Sequence, residues 1–87
     1  MPNKYKRFNE NNYMRKRIHE EELLQYVPFL KKSDRDKKIM IAYAKGESYN
    51  SLAARYAITP SRVRQIVHEV IVHCSYYQRQ IKMYSPE

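Results

Sequence analysis

Residues 48–66, with the sequence SYNSLAARYAITPSRVRQI, decide the fold that the chain is expected to adopt. Ser48 is a residue type that caps helices, and leucine, alanine and arginine, which favour helix, follow it. Thr59 and Pro60 mark a second helix start, because proline lacks the amide hydrogen that the first helical position leaves unbonded. The pattern predicts two helices joined by a tight turn at residues 57–59.

The apolar residues of this stretch have the spacing that packs two short helices against each other. Leu52, Ala53 and Tyr56 are expected on the inner face of the first helix, and Val63 and Ile66 on that of the second. Ile58 is expected to fill the space inside the turn. Ala57 occupies the turn position where glycine is usual, so it must carry strain if its φ is positive. The arrangement is typical of a helix-turn-helix at about residues 48–68, whose second helix lies in the DNA major groove; an ordinary helical hairpin is the alternative.

Polar and basic residues remain for the outer side of the second helix. Arginine can form a bidentate contact with guanine and glutamine with adenine, which makes Arg64 and Gln65 candidates for reading bases. Phosphate contacts position a protein without specifying a sequence, a role that suits lysine and arginine outside that helix, including Lys37 and Lys38. The candidate DNA-binding residues are Thr59, Ser61, Arg62, Arg64, Gln65, His68, Arg55 and Lys45. For each of them, a solvated charged surface is the alternative.

The composition of the chain narrows its class. Its 87 residues suffice for one domain, and the balance of 17 Lys and Arg against 9 Asp and Glu gives +8. Such a surface attracts polyanions such as nucleic acid or an acidic membrane face, although a basic surface without a polyanionic partner is the alternative. The single glycine excludes glycine-rich phosphate loops and speaks against a β-rich fold. We therefore expect an all-α, cytoplasmic protein without a secretory signal or membrane span.

Two further helices are expected ahead of this motif. Residues 1–12 look like a flexible basic arm, with the helical domain over residues 13–87. A first helix is predicted at about residues 13–26, with Met14, Ile18 and Leu24 on one face. Lys16–Glu20 and Arg17–Glu21 are expected to form ion pairs along it. Pro28 is expected to end it, because the residue before a proline avoids helical dihedral angles. A second helix is predicted to start at a Ser33 cap with Asp34 and Asp36 in its first turn. Its buried stripe is predicted to consist of Ile39, Met40, Tyr43 and Ala44. Gly46 is predicted to end the helix in a left-handed conformation.

An apolar stripe continues past the motif towards the C-terminus. Its members step alternately by four and three residues: Val63, Val67, Val70, Cys74, Tyr77, Ile81 and Tyr84. One long helix, or two helices broken near Ser75, would fit this spacing. Three partners are open: the first helix of the same chain, a second copy in a homodimer, or another protein such as RNA polymerase. Cys74 is expected in the core, and no catalytic residue, metal site or cofactor is expected.

Four short strings resemble region four of bacterial sigma factors: Gly46-Glu47-Ser48, Leu52-Ala53, Ile58-Thr59 and Arg62-Val63-Arg64-Gln65-Ile66. The resemblance covers about residues 35–74. It implies a helix-turn-helix that binds the −35 promoter element, with Arg64 and Gln65 at the DNA face and Arg62 near the backbone. Pro60 and Ser61 stand where the family often has a charged pair that reads bases. The length is expected to exclude a complete sigma factor and implies a small sigma-like regulator, such as one encoded by a phage.

Two functions follow from these observations. The first is a sequence-specific DNA-binding transcription regulator that binds double-stranded DNA and performs no reaction. The alternative is a protein-interaction module that binds RNA polymerase or a sigma factor without reading DNA. The basic charge favours the first function, whereas the tyrosine-rich tail favours the second.

Overall fold

The computed structural model describes residues 9–84, and within this range the regular secondary structure is all helical, with no strand. The elements are α1 (Glu10–Glu20), a 3₁₀ helix (Leu23–Phe29), α2 (Asp34–Ala44), α3 (Tyr49–Tyr56) and α4 (Pro60–Tyr84). α4 packs against α2, α3 and the 3₁₀ helix, while α1 packs against α2 and the 3₁₀ helix. The predicted all-α class is confirmed.

The core is one cluster to which every helix contributes. Its buried members are Met14, Ile18, Leu23, Val27, Ile39, Met40, Tyr43, Ala44, Leu52, Ala53, Val63, Ile66, Val67, Val70, Ile71 and Cys74. Burying one large aliphatic side chain stabilises a fold by about 1.5–3 kcal/mol, so this cluster is the main favourable contribution. The predicted stripe of α2 and the predicted Met14 and Ile18 of α1 lie in it, whereas Leu24 belongs to the 3₁₀ helix and is only partly buried against the cluster.

The structure of α2 follows its local sequence signals closely. The Ser33 hydroxyl accepts a hydrogen bond from the Asp36 amide at 3.2 Å, which caps the helix start. At the other end Gly46 adopts a φ of +117°. The Gly46 amide donates to the Tyr43 carbonyl at 3.0 Å and the Glu47 amide donates to the Ala42 carbonyl at 3.1 Å. These two bonds form a Schellman motif, which ends α2 and directs the chain into α3.

α1 differs from the prediction at both ends. The Asn9 side chain accepts from the Asn12 amide at 3.1 Å, so α1 begins at Glu10 rather than at Tyr13. The predicted arm is therefore wrong for residues 10–12, and its first eight residues lie outside the described range. α1 ends at Glu20, where the Glu22 amide donates to the His19 carbonyl at 3.2 Å and Glu22 takes a positive φ that a right-handed helix does not allow.

Pro28 does not end a helix, and that prediction is also wrong. The 3₁₀ helix begins after Glu22, whose φ is 54°, and Pro28 lies inside this helix. Leu23 and Val27 of this short helix are fully buried, so packing against the core holds a segment that has weak propensity of its own. The predicted ion pairs Lys16–Glu20 and Arg17–Glu21 are present, with nitrogen–oxygen distances of 4.0 and 3.3 Å.

α4 is a single helix that continues through Ser75 without a break. The Ser75 hydroxyl, which is buried, accepts a hydrogen bond from Nη2 of Arg17 at 2.9 Å. One turn later the Gln78 side-chain amide donates to the Glu21 carbonyl at 3.0 Å. α1 thus runs alongside α4 in the same direction, joined to it by polar contacts. None of the helices between residues 9 and 84 combines the length and apolar content that crossing a bilayer requires.

Candidate nucleic-acid interface

α3, the turn and the start of α4 adopt the helix bounds expected for a helix-turn-helix. The Ser48 hydroxyl accepts from the Ser51 amide at 3.0 Å, and the Thr59 hydroxyl accepts from the Arg62 amide at 3.0 Å. Both predicted caps are confirmed. Ala57 has a φ of 58° and a ψ of 43°, so the strain expected at this position is present. The turn closes with the Ile58 amide donating to the Ala53 carbonyl at 3.0 Å.

The inner faces of the two helices form one packed contact. Leu52 and Ala53 of α3 are buried against α4, whose Val63 and Ile66 are also buried. Tyr56 and Ile58, which were predicted to close this contact, are partly buried and pack on its edge. The contact fixes which side of α4 faces outwards.

The outer side of α4 presents the polar residues that the sequence singled out. Ser61, Gln65 and His68 fall within about 60° of one another on the helix, since each residue advances by about 100°. Arg62 lies on one edge of this row and Arg64 on the other. The four residues Ser61, Arg62, Arg64 and Gln65 are exposed, and His68 is half-buried. The structure thus brings the predicted residues of α4 onto one surface, called here the α4 polar row.

Glu10, which the sequence placed in the arm, contacts the α4 polar row. Its Oε2 accepts from Nε of Arg64 at 3.0 Å and from Nε2 of His68 at 2.6 Å. The Tyr49 hydroxyl at the start of α3 donates to the same oxygen at 3.3 Å. Glu10, Tyr49, Arg64 and His68 are called the Glu10 cluster below. No local sequence signal links residue 10 to residues 64 and 68, because the contact depends on how α1 lies against α4.

The Glu10 cluster favours the ionised carboxylate. The hydrogen bond from His68 is the main cause that lowers the pKa of Glu10; desolvation opposes it, and Arg64 lowers the pKa further. Because an ionised carboxylate can only accept, Nε2 of His68 carries the proton in this contact. Desolvation raises the pKa of the Tyr49 hydroxyl, so Tyr49 remains a neutral donor.

Aromatic and arginine contacts hold the start of α1 in place beside this cluster. The rings of Tyr43 and Tyr49 stack with their centroids 5.1 Å apart, and the Tyr43 hydroxyl donates to the side chain of Asn11 at 2.7 Å. The guanidinium of Arg15 lies 4.5 Å from the Tyr43 ring centroid. Arg15 also donates to the carbonyls of Tyr43 and Glu47 at 2.8 and 2.7 Å. The position of Glu10 therefore depends on a rigid support.

The predicted phosphate contacts outside α4 lie apart from the α4 polar row. Lys45 and Arg55 line a surface groove with Lys38, and no residue of α4 lines it. Arg55 forms an ion pair with Glu47. Lys37 donates instead to the Pro28 carbonyl at 3.3 Å. The predicted binding residues therefore form two surfaces, one on α4 and one between α2 and α3.

Cys74 is fully buried in the core as expected, and burial raises the pKa of its thiol to about 11. Across residues 9–84, no group of three or more His, Cys, Asp or Glu side chains comes together in a way that could hold a metal ion. The position of Cys74 gives its thiol a packing role.

Comparison of the chain with protein-family models, with curated proteins and with solved structures finds no match. The resemblance to sigma region four accordingly stays a prediction from the residues that carry it.

Proposed function

We propose that this protein binds double-stranded DNA sequence-specifically and regulates transcription, with the first half of α4 in the major groove. The observation that carries the proposal is the α4 polar row, presented on a capped helix whose opposite side is packed into the core. A base-reading helix needs this combination, because groove contacts discriminate only when the side chains are held in register with the bases.

Each residue of the interface takes a role that its chemistry supports. Gln65 stands at the centre of the row, where its amide can pair with adenine, and Arg64 stands at the edge, where it can reach guanine. Arg62 and Thr59 lie near the start of α4 and suit contacts with the phosphate backbone. The net charge of +8 supplies the long-range attraction to DNA. Lys45 and Arg55 extend the basic surface outside α4.

The proposed role is regulatory and includes no chemical reaction. The resemblance to sigma region four implies a promoter as the target and makes RNA polymerase a candidate partner. A cytoplasmic location and a homodimer that reads a two-fold site belong to the same proposal. Sedimentation at several protein concentrations tests the dimer, because self-association would raise the apparent mass with concentration.

The double variant Arg64→Ala/Gln65→Ala tests base reading. A preferred duplex is first selected from a randomised library with the unaltered protein, and affinities for this duplex and for a scrambled one are measured by fluorescence anisotropy. Each base contact contributes about 1–3 kcal/mol of discrimination, so we expect the double variant to lose about 30-fold or more of its preference. Salt-sensitive binding to the scrambled duplex should remain.

The same helix offers a matched control. Arg79→Ala/Gln80→Ala removes the same two residue types from the other end of α4, outside the polar row. This variant should keep the preference of the unaltered protein. Equal discrimination by both double variants would contradict base reading by Arg64 and Gln65.

A protein-interaction module is the second candidate, and one observation favours it. Large apolar side chains are exposed around the far half of α4: Phe29 is 65 % exposed, Tyr76 57 % and Met83 69 %. Phe29 stacks on Tyr77 with ring centroids 5.9 Å apart. Such a patch is suited to a protein partner. Binding to bacterial RNA polymerase without DNA, together with no preference among duplexes, would favour this candidate over the first.

A further inference from the structure

Glu10 contacts one edge of the Arg64 guanidinium and leaves the other edge open. Both carboxylate oxygens lie near Nε of Arg64, at 3.0 and 3.3 Å. In the part of the chain that the structure describes, neither Nη atom of Arg64 has a hydrogen-bond or ion-pair partner. The Arg64 side chain is 55 % exposed, so its terminal fork is open to solvent at the edge of the α4 polar row.

An arginine that reads guanine needs this kind of support. The contact uses two parallel N–H groups that point at O6 and N7 of the base, and it discriminates only when the planar fork is correctly aimed. A free arginine side chain samples many rotamers, and that freedom is lost on binding. A fixed carboxylate on Nε removes part of the freedom before DNA arrives and uses none of the four Nη hydrogens.

Glu10 is itself held firmly enough to act in this way. His68 and Tyr49 both donate to its Oε2, at 2.6 and 3.3 Å. It is the first residue of α1, whose start is capped by Asn9. Its charge also disfavours a DNA phosphate at the same place, because two anions repel. Arg64 is thereby directed away from the backbone.

We propose that Glu10 is a positioning residue that aims the Arg64 fork at a guanine in the major groove. The proposal rests on the DNA-binding function proposed above and adds the residue that sets the preference at one base pair. Glu10 makes no contact with DNA in this arrangement. Its effect on recognition passes through Arg64.

The test first locates the base pair that Arg64 reads. Duplexes are selected from a randomised library with the unaltered protein and with Arg64→Ala, and the position that loses its guanine preference is assigned to Arg64. Affinities for that site and for the same site with the guanine replaced are then compared for the Glu10→Gln and Glu10→Asp variants. We expect both variants to lose about tenfold of the guanine preference at this position.

Binding to a scrambled duplex separates positioning from general damage. It should be unchanged in Glu10→Asp, which keeps the charge and only shortens the side chain, and equal or tighter in Glu10→Gln, which removes a negative charge. A structural role alone would weaken binding to every duplex alike. Glu20→Gln is the matched control, because Glu20 is an exposed glutamate of the same helix whose side chain forms an ion pair with Lys16.

The outcomes distinguish this proposal from the one it rests on. If the unaltered protein selects no sequence, the DNA-reading function fails. If Arg64→Ala loses a guanine preference that both Glu10 variants keep, the function stands and the positioning role of Glu10 is overturned. Equal weakening of both Glu10 variants on every duplex also overturns it.

Discussion

The two halves of α4 carry the same helical repeat in different surroundings. In residues 60–75, called the first half here, Val63, Val67, Val70 and Cys74 are all buried beneath α2, α3 and the 3₁₀ helix. In the second half, Tyr77 is only partly buried and Ile81 is 46 % exposed, although both continue the same four-and-three spacing. The polar row lies on the half with the covered inner side, and the exposed aromatic side chains lie on the other.

The difference shows what a hydrophobic repeat predicts and what it leaves open. The repeat predicts helix on both sides of Ser75 but leaves open whether the helix breaks there; the structure has one unbroken helix. It does not predict what covers the helix, since that depends on where α1, α2 and α3 lie. The sequence left three partners open for the stripe: the first helix, a second copy or another protein. Its first half packs on α2, α3 and the 3₁₀ helix rather than mainly on α1, and the homodimer and polymerase contacts stay predictions.

The largest expected difference between the two halves of α4 is in the reaction rate of a cysteine thiol placed on each. Cys74 should react with iodoacetamide in the folded protein about 100-fold or more slowly than an exposed thiol, because its raised pKa of about 11 leaves little thiolate and burial blocks access. The comparison is the variant Cys74→Ala/Ile81→Cys, whose thiol lies on the exposed part of the same stripe. Mass spectrometry over time measures both rates at pH 8. Equal rates would mean that the first half is not covered as described.

Two isoleucines of α4 give the corresponding contrast in stability. Ile71 is 1 % exposed and Ile81 is 46 % exposed. Ile71→Ala should lower the free energy of unfolding by about 2–5 kcal/mol, because it leaves a cavity in the core. Ile81→Ala should cost less than about 1 kcal/mol. Urea denaturation followed by circular dichroism measures both, and a large loss for Ile81→Ala would indicate that this side chain is covered in solution, for instance by a second copy.

Substitutions in the turns that precede α3 and α4 should change the stability of the fold by smaller amounts and in opposite directions. Ala57 and Gly46 both have positive φ, 58° and +117°. Ala57→Gly should stabilise the fold by up to about 1 kcal/mol, because glycine adopts this region without strain. Gly46→Ala should destabilise it by about 1 kcal/mol through φ alone, since an added Cβ would meet nothing within 4 Å. Thermal unfolding measures both signs, and a loss of stability in Ala57→Gly would show that the turn is relaxed in solution.

The smallest expected effect is the pH dependence of the stability that the Glu10 cluster contributes through its contacts with the first half of α4. The contacts lower the pKa of Glu10 below its ordinary 4.5, so their stabilisation is present above pH 4.5 and is lost as the pH falls through the lowered value. Solvent screening limits it to about 1 kcal/mol. The melting temperature of Glu10→Gln should therefore lie slightly below that of the unaltered protein at pH 7 and approach it as the pH falls below 4.5. A difference that grows on acidification would contradict these contacts.

Local signals account for the parts of the fold that the sequence predicted correctly. The caps Ser33, Ser48 and Thr59 each bond an amide a few residues away, so the bounds of α2 and α3 and the start of α4 could be predicted from neighbours alone. The residues of the α4 polar row were predicted for the same reason, because the buried positions of one helix define its outer side. Their function remains a proposal.

Long-range contacts account for what was missed. The 3₁₀ helix contains Pro28 and has weak propensity, and it is held by the burial of Leu23 and Val27. Glu10 was assigned to a loose arm, because its partners Arg64 and His68 stand at the other end of the chain. A lone acid among basic residues was the one signal in the sequence, and it does not identify the partner.

A titration of isotopically labelled protein with its selected duplex, followed by NMR, tests the central claim most directly. The account predicts that backbone amides of residues 59–68 and the Gln65 side-chain amide shift on binding, while those around Tyr77 and Ile81 stay unchanged. Shifts confined to the aromatic far half of α4, or none along the polar row, would contradict it.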